Sequence, residues 1–140
     1  MAVDGNDKSH TVDIEVRYAE TDAMGVVHHA NYLVWFELAR TGLCAKTGYD
    51  YPGIEAAGYR ILVTGAELRY LRGASYGDRV QVEARLEALE SRGLRFSYGV
   101  RRGEKRLATG TTSHLWVEAA TGRVRRIPSP WREAFAAFAR

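Results

Sequence analysis

The chain has little of what marks secreted or membrane-spanning proteins. Its 140 residues include a single cysteine, Cys44, so no disulfide can form within it. Every apolar run falls well short of the roughly 20 residues that cross a bilayer. Residues 1–10 are polar and lack the apolar core of a signal peptide. From these absences we expect a cytoplasmic protein without membrane insertion, in which Cys44 is inert packing rather than a catalytic thiol.

Charge of one sign is not in large excess either. Lys and Arg number 20 against 17 Asp and Glu, a net charge of +3. Such a surface suits nucleic acid, anionic lipid, a phosphorylated small molecule or solvent alone. The segment ahead of the first predicted strand is too short to read DNA, so we expect no nucleic-acid partner. His28 and His29 are adjacent, but no third ligand stands at metal spacing, and we expect no metal site.

What the chain does have is alternation of apolar and polar residues, which predicts an antiparallel sheet. In the first predicted strand, residues 10–18, Val12, Ile14 and Val16 share one face. Similar runs separated by turns predict strands at 59–72, 79–90, 94–102 and 105–118, and 123–127 could extend the sheet. Residues 129–140 are typical of a short helix, and residues 1–9 of a frayed tail. Residues 1–140 are thus predicted to form one domain.

A long predicted helix, residues 29–47, separates the first strand from the others and is apolar on nearly every side. Such a helix must be buried. With one long helix and five or six antiparallel strands, the simplest α+β packing wraps a twisted sheet around a central helix. Pairing of edge strands between subunits would protect the open edges, which predicts at least a homodimer.

A lone carboxylate, Asp22, stands in the turn ahead of this helix, and Gly25 is the flexible point of that turn. Aspartate often caps helices, but Asp22 lies too far before the predicted helix start for a simple cap. The first amides of a helix are positively polarised donors. A carboxylate beside them has what is needed to attack a polarised carbonyl, or to activate water against it.

The residues around Asp22 resemble a known family. They are similar to the 4-hydroxybenzoyl-CoA thioesterase family, and within it to the branch associated with the Tol–Pal envelope system. The main motif is Tyr18-x-x-Thr21-Asp22-x-x-Gly25-Val26-Val27-x-His29-x-Asn31-Tyr32, followed by Glu37-x-x-Arg40. Weaker similarities continue to Arg125-Arg126-Ile127-Pro128 in the same element order. The chain departs from many relatives at Gly73, often a proline, and at His28, often a tyrosine.

The resemblance implies the hot-dog fold, in which an antiparallel sheet wraps a long helix. It implies dimers, often paired into a homotetramer, with active sites at the subunit interface. The implied activity is hydrolysis of acyl-CoA thioesters without metal or cofactor, since CoA is part of the substrate. Asp22 falls at the catalytic aspartate, Tyr18 and His29 at its partners. The positions expected to bind substrate or the oxyanion are Gly25, Val27, His28 and Asn31, with the polarising amide at about His29.

Several alternatives stay open at this point. Asp22 could act as nucleophile or as general base, and a hot-dog domain could hold acyl-CoA or acyl-carrier protein without hydrolysing it. A pure binding module has no need of the attacking carboxylate. We further expect Glu20 to be solvated, Tyr18 to end the first strand on its apolar face, and Glu37 to pair with Arg40 within the helix. Candidates for binding the CoA phosphates are Arg72, Arg92, Arg95 and Arg102.

Overall fold

The structure, a computed structural model, describes residues 8–139 and contains five strands and three helices within that range. The strands are β1 (Ser9–Glu15), β2 (Tyr59–Tyr70), β3 (Arg79–Leu89), β4 (Gly93–Arg102) and β5 (Lys105–Glu118). The helices are α1 (Asn31–Lys46), α2 (Tyr51–Ala56) and α3 (Trp131–Ala136). The predicted tail lies outside the described residues up to residue 7, and Ser9 already belongs to β1.

The strands form one antiparallel sheet in the order β1-β3-β4-β5-β2. Alternation gives the sheet a buried inner face. On β3 the fully buried side chains are those of Val80, Val82, Ala84 and Leu86. β2 is an edge strand of twelve residues, and within residues 8–139 it pairs only with β5. A long edge is therefore open on one side of the sheet.

Helix α1 crosses the inner face of the sheet and packs against β1 and β3. Its buried side includes Trp35, Phe36, Ala39 and Leu43. Its opposite side carries exposed large apolar residues, Leu33, Val34 and Leu38. The prediction that this helix is buried on every side is therefore wrong for the single chain. One apolar side forms the core, and the other forms part of the surface.

Residues near the middle of α1 approach β5 closely at Gly110. A Cβ atom added at Gly110 would lie 2.6 Å from Cε2 of Phe36 and 2.7 Å from the carbonyl oxygen of Glu67. The Phe36 ring stacks on the ring of Tyr98, with centroids 4.2 Å apart and planes at 2°. The absence of a side chain at Gly110 is what leaves room for Phe36 against the sheet.

Helix α2 lies in a segment where the sequence shows no clear period. Its first turn is closed by the Asp50 carboxylate, which accepts a hydrogen bond from the Gly53 amide at 3.0 Å. Pro52 suits the same turn, and Ile54 is fully buried. Six residues are too few to establish a helical period, which is why the sequence pattern did not reveal this helix.

Element ends also differ from the predicted ones. Helix α1 begins at Asn31 and α3 at Trp131, each two residues later than expected. The segment 123–127 adds an isolated bridge between Val124 and Val117 rather than a strand. In the part of the chain that is described, none of the helices has both the length and the apolar character to cross a bilayer.

Candidate active site

The chain leaves β1 after Glu15 and forms one 3-10 turn at Tyr18–Glu20. Tyr18 is 75% exposed, and its ring meets the edge of Tyr76 with centroids 5.7 Å apart. The prediction that Tyr18 ends the first strand on its apolar face is wrong, because the strand stops before it. Tyr18 therefore belongs to the surface of the loop that leads to Asp22.

Glu20 was expected in solvent but is buried, at 4% exposure. Its Oε2 accepts a hydrogen bond from the Trp35 indole at 2.9 Å, and its Oε1 accepts one from the Arg17 amide at 2.8 Å. Burial alone would raise the pKa of Glu20. These hydrogen bonds and the charge of Arg17 outweigh it and hold the pKa below the usual 4.5. The ionised carboxylate thus fastens the turn to α1.

The backbone of Glu20 makes a second attachment. Its carbonyl oxygen accepts hydrogen bonds from the His28 amide at 2.8 Å and from Nδ2 of Asn31 at 3.0 Å. Between these contacts the chain folds back on itself, with Thr21 bridged to Val27. Residues 20–31 consequently form a closed loop held at both ends.

Asp22 begins the tight turn of this loop. Its amide donates to the Val26 carbonyl at 2.8 Å, and its own carbonyl accepts from the Gly25 amide at 3.0 Å. Gly25 has φ +83°, a left-handed conformation that glycine adopts without strain. Oδ1 accepts from the Met24 amide at 2.8 Å, while no donor within the described chain reaches Oδ2. The Asp22 carboxylate is exposed and half free.

The amides that lead into α1 all have acceptors except one. The occupied amides are those of Val27, His28, Ala30 and Asn31, which donate to the Ala74 carbonyl, the Glu20 carbonyl, the His28 ring and the His28 carbonyl. No acceptor among residues 8–139 lies within hydrogen-bond reach of the His29 amide. A free donor therefore stands just ahead of a helix of 16 residues, where the helix dipole favours negative charge.

The backbone at His29 is also held from the other side. The Tyr70 hydroxyl donates to the His29 carbonyl at 3.2 Å, and Tyr70 meets the edge of the Tyr32 ring. The rings of His28 and His29 lie on the surface with centroids 4.2 Å apart. All seven predicted site residues thus fall in one segment, 18–31, closed on itself by Glu20. Glu20 and Tyr70 were missed because Trp35 and His29, which they contact, are distant from them in sequence.

Arg40 does not pair with Glu37, contrary to expectation. Its guanidinium is buried, and Nη1 donates to the Tyr98 hydroxyl at 3.0 Å. Tyr98 bonds Thr112 Oγ1 at 2.6 Å, which bonds His114 Nε2 at 2.8 Å. Burial, with a smaller effect of the Arg40 charge, lowers the pKa of His114 to about 3, so His114 is neutral. No local motif signals this network, since its members lie on three different elements.

Other candidate groups take no part in this loop. Within residues 8–139 no three His, Cys, Asp or Glu side chains come together as a metal-ligand set. Two of the four arginines considered for CoA phosphates are already paired, Arg95 with Glu87 and Arg102 with Asp78, both at 2.8 Å. Cys44 is fully buried, and burial raises the pKa of its thiol to about 12, so it does not serve as a nucleophile.

A family model described as the thioesterase-like superfamily matches residues 16–137. The chain belongs to this superfamily. This thioesterase is 36% identical over 127 residues to YneP of Bacillus subtilis (strain 168), provisionally named an acyl-CoA thioesterase, with 88% of this chain and 87% of YneP covered. The predictions of an α+β hot-dog fold and of a thioester hydrolase are confirmed.

Solved structures show the same fold. The protein TT1821 from Thermus thermophilus, described as hypothetical, superposes with a TM-score of 0.89 at 40% identity, covering 92% of this thioesterase and 98% of that chain. A DHNA-CoA thioesterase from Staphylococcus aureus superposes with a TM-score of 0.87 at 30% identity, covering 92% and 89%. Each of the two superpositions covers 92% of this chain.

Proposed function

We propose that this thioesterase hydrolyses acyl-CoA at a site formed by the Asp22 carboxylate and the His29 amide. The observation that carries this proposal is the His29 amide, which among the amides from Val27 to Asn31 is the one without an acceptor in residues 8–139, on a loop that also presents a half-free carboxylate. The names of the B. subtilis and S. aureus proteins, an acyl-CoA thioesterase and a DHNA-CoA thioesterase, support CoA thioesters as the substrate class.

The His29 amide supplies the electrophilic activation. The thioester carbonyl oxygen accepts its hydrogen bond, and negative charge that develops on this oxygen meets the positive end of the α1 dipole. One such donor aimed at an oxyanion contributes about 3 kcal/mol to the lowering of the barrier. The hydrogen bonds that Glu20 and Tyr70 make around His29 keep the amide in place.

Asp22 supplies the attack by one of two routes. As a nucleophile, its free Oδ2 bonds to the carbonyl carbon, the carbon–sulfur bond breaks, and the CoA thiolate leaves; water then hydrolyses the mixed anhydride. As a general base, it takes a proton from water whose oxygen attacks the same carbon. In either route, the His29 ring and the Tyr18 hydroxyl orient Asp22 or substrate. Gly25, Val27, His28 and Asn31 shape the loop around the carbonyl.

A second copy of the chain completes the site in this proposal. The open edge of β2 and the exposed apolar side of α1 are adjacent surfaces that one symmetric partner would cover. Antiparallel pairing of two β2 strands gives a homodimer, and a pair of dimers gives the homotetramer. Membership of the 4-hydroxybenzoyl-CoA branch, the Tol–Pal association and the cytoplasmic location stay predictions that depend on the motif and composition.

Thiol release from a panel of acyl-CoA thioesters tests the proposal. We expect Asp22→Asn and Asp22→Ala each to lower kcat/KM by more than about a hundredfold. Asp13→Asn is the matched control, because Asp13 is also an exposed aspartate but lies on β1, where its Oδ1 accepts a hydrogen bond from Gln81 at 3.0 Å. Equal activity of wild type and Asp22→Asn would refute the mechanism, and binding without turnover would favour a binding module.

Single-turnover hydrolysis in H₂¹⁸O separates the two routes. If Asp22 is the nucleophile, water attacking the anhydride at the aspartyl carbon leaves ¹⁸O in the Asp22 carboxylate, detectable by mass spectrometry of the peptide that contains it. Label in Asp22 therefore identifies the nucleophilic route, whereas label only in the released acid is expected for a general base and equally for an anhydride that water opens at its acyl carbon.

A further inference from the structure

Arg40 is a buried cation that has no anion beside it in the described part of the chain. Its side chain is 5% exposed, Nη1 is held by the Tyr98 hydroxyl, and Nε is enclosed without an acceptor. Among residues 8–139 no carboxylate oxygen lies within 4.0 Å of its guanidinium. A charge removed from water without a counter-ion is strongly destabilising. An anion from outside the described residues would therefore stabilise the Arg40 cation.

Glu37 is an anion that lacks a cationic partner in the described chain. It lies one helical turn before Arg40 on α1, is exposed, and pairs with no cation of the described chain. Its neighbours on the helix surface are the exposed apolar residues Leu33, Val34 and Leu38. Together with Glu37 we call these residues the outer strip of α1. A carboxylate within an apolar strip can be buried in an interface only if a cation meets it there.

A cavity of about 260 Å³ joins the two charges. It lies between α1 and the inner faces of β2 and β5, and its wall includes both Glu37 and Arg40 beside the apolar Leu33, Val34 and Val63. The cavity is open to the side that α1 leaves uncovered, where Val63 is 50% exposed. An incoming carboxylate can therefore reach Arg40 through an apolar opening.

The structure holds Arg40 away from its own Glu37. Ion pairs three residues apart on a helix are common. Here, however, the Arg40 guanidinium is turned toward the sheet, where it donates a hydrogen bond to the Tyr98 hydroxyl. Tyr98 is itself fixed by stacking on Phe36 and by its bond to Thr112. Glu37 points to the exposed side of the same helix. The exposed Glu37 and the buried Arg40 thus line the same cavity without forming an ion pair.

The uncovered half of the sheet suits a second copy of this chain. Helix α1 packs against β1 and β3, at one end of the strand order, and leaves β2 at the other end as an open edge. Antiparallel pairing of two β2 edges about a two-fold axis would continue the sheet and bring the second α1 over the cavity. The outer strip of each helix would then lie against the other protomer.

We propose that the partner subunit's Glu37 enters this cavity and pairs with Arg40, while Glu37 pairs with the partner subunit's Arg40. Two-fold symmetry requires both contacts if one of them forms. Each buried Arg40 thereby gains a counter-ion. Each Glu37 carboxylate gains a cation when the outer strip of α1 is buried in the interface. This inference rests on the dimer of the proposed function and adds the ion pair that specifies it.

Mixing two complementary variants tests the exchange of charges. A dimer of Glu37→Gln with Arg40→Gln retains one complete pair and loses both members of the other, whereas each homodimer leaves two charges unmatched. After subunit exchange, native mass spectrometry of chains that differ by a tag should show heterodimers above about nine-tenths of all dimers, corresponding to at least a tenfold preference. A mixture at the statistical one half would overturn the proposal.

The matched control is the exposed pair of Arg95 and Glu87, which lies within one chain at 2.8 Å. Mixing Arg95→Gln with Glu87→Gln should give the statistical half. An Arg40→Gln variant that raises KM only for acyl-CoA thioesters ending in a carboxylate, with statistical mixing, would assign the cavity to substrate and also overturn the proposal.

A second measurement needs no Arg40 variant. Glu37→Gln should raise the dimer dissociation constant at least about tenfold, whereas Glu55→Gln on α2 should not change it. At concentrations where only monomer is present, both variants should unfold at the wild-type denaturant midpoint; a lower midpoint for Glu37→Gln alone would reveal an intrahelical pair and refute the exchange. Absence of thiol release would defeat the proposed function without affecting this result.

Discussion

Two carboxylates two residues apart, Glu20 and Asp22, have opposite environments. Glu20 is buried and accepts hydrogen bonds with both carboxylate oxygens, while Asp22 is exposed and uses only Oδ1. Glu20, which is not a named position of the motif, holds the loop through its hydrogen bonds. Asp22, which is a motif residue, keeps one carboxylate oxygen free. In the proposed mechanism Asp22 needs a free carboxylate oxygen, and the hydrogen bonds that hold the loop are made by its neighbour Glu20 instead.

The largest expected contrast is in folding stability. The Glu20 carboxylate accepts hydrogen bonds from two N–H donors. In Glu20→Gln the side-chain NH₂ group faces one of these donors, and that hydrogen bond is lost. We therefore expect the free energy of unfolding to fall by about 2 kcal/mol. Asp22→Asn retains the Oδ1 acceptor for the Met24 amide on an exposed turn, and should change it by less than about 0.5 kcal/mol. Urea unfolding of both variants against wild type measures the difference. Equal losses of unfolding free energy in the two variants would show that Glu20 does not stabilise the loop more than Asp22 does.

The stabilising contribution of Glu20 should also depend on pH. Because the folded-state pKa of Glu20 lies below 4.5, its stabilising contribution is complete above pH 4.5 and is lost as the pH falls through the folded value. Buried His114 causes a separate loss, which begins near pH 6.5 and continues toward pH 3 because the unfolded chain binds the proton. Denaturant unfolding between pH 7 and pH 3 checks both windows.

The His114 loss is shared by wild type and Glu20→Gln, so their difference in unfolding free energy isolates Glu20. That difference should stay constant above pH 4.5 and shrink below it. A difference that does not shrink on acidification would show that Glu20 is not stabilised as an anion.

The smallest expected effect concerns the other support of His29. Tyr70→Phe removes the hydroxyl that donates to the His29 carbonyl at 3.2 Å but keeps the ring against Tyr32. Since this bond is exposed, unfolding free energy should fall by no more than about 1 kcal/mol, while kcat falls more than KM changes. Loss of stability without loss of kcat would limit Tyr70 to a structural role.

Local pattern predicted the sheet and long helix well. The alternation in Val80, Val82 and Ala84 identified β3, and the apolar residues of 29–47 identified α1. The turn chemistry of Asp22 and Gly25 was also readable, since a left-handed glycine is required there. What local pattern did not show was that the apolar side of α1 divides into a core face and an exposed face. That division is set by the sheet.

Contacts between distant residues account for the failures at Glu20 and Arg40. Glu20 was taken as solvated because Arg17, its partner three residues away, does not by itself bury it, and Trp35, whose indole also donates to it, is 15 residues away. Arg40 was paired with Glu37 on helical spacing alone, whereas Tyr98, from another strand, holds its guanidinium. Spacing within one element predicts which side chains can meet, but tertiary packing decides which of them do.

Gly110 connects the packing of the core to the position of the proposed site. Because Phe36 occupies the space where its side chain would be, the depth at which α1 lies on the sheet is limited by a single hydrogen atom. A methyl group there would clash with the Phe36 ring and with the Glu67 carbonyl, so Phe36 on α1 could not keep its present position. The position of the loop around Asp22 therefore depends on the space left at residue 110 as well as on the loop's own hydrogen bonds.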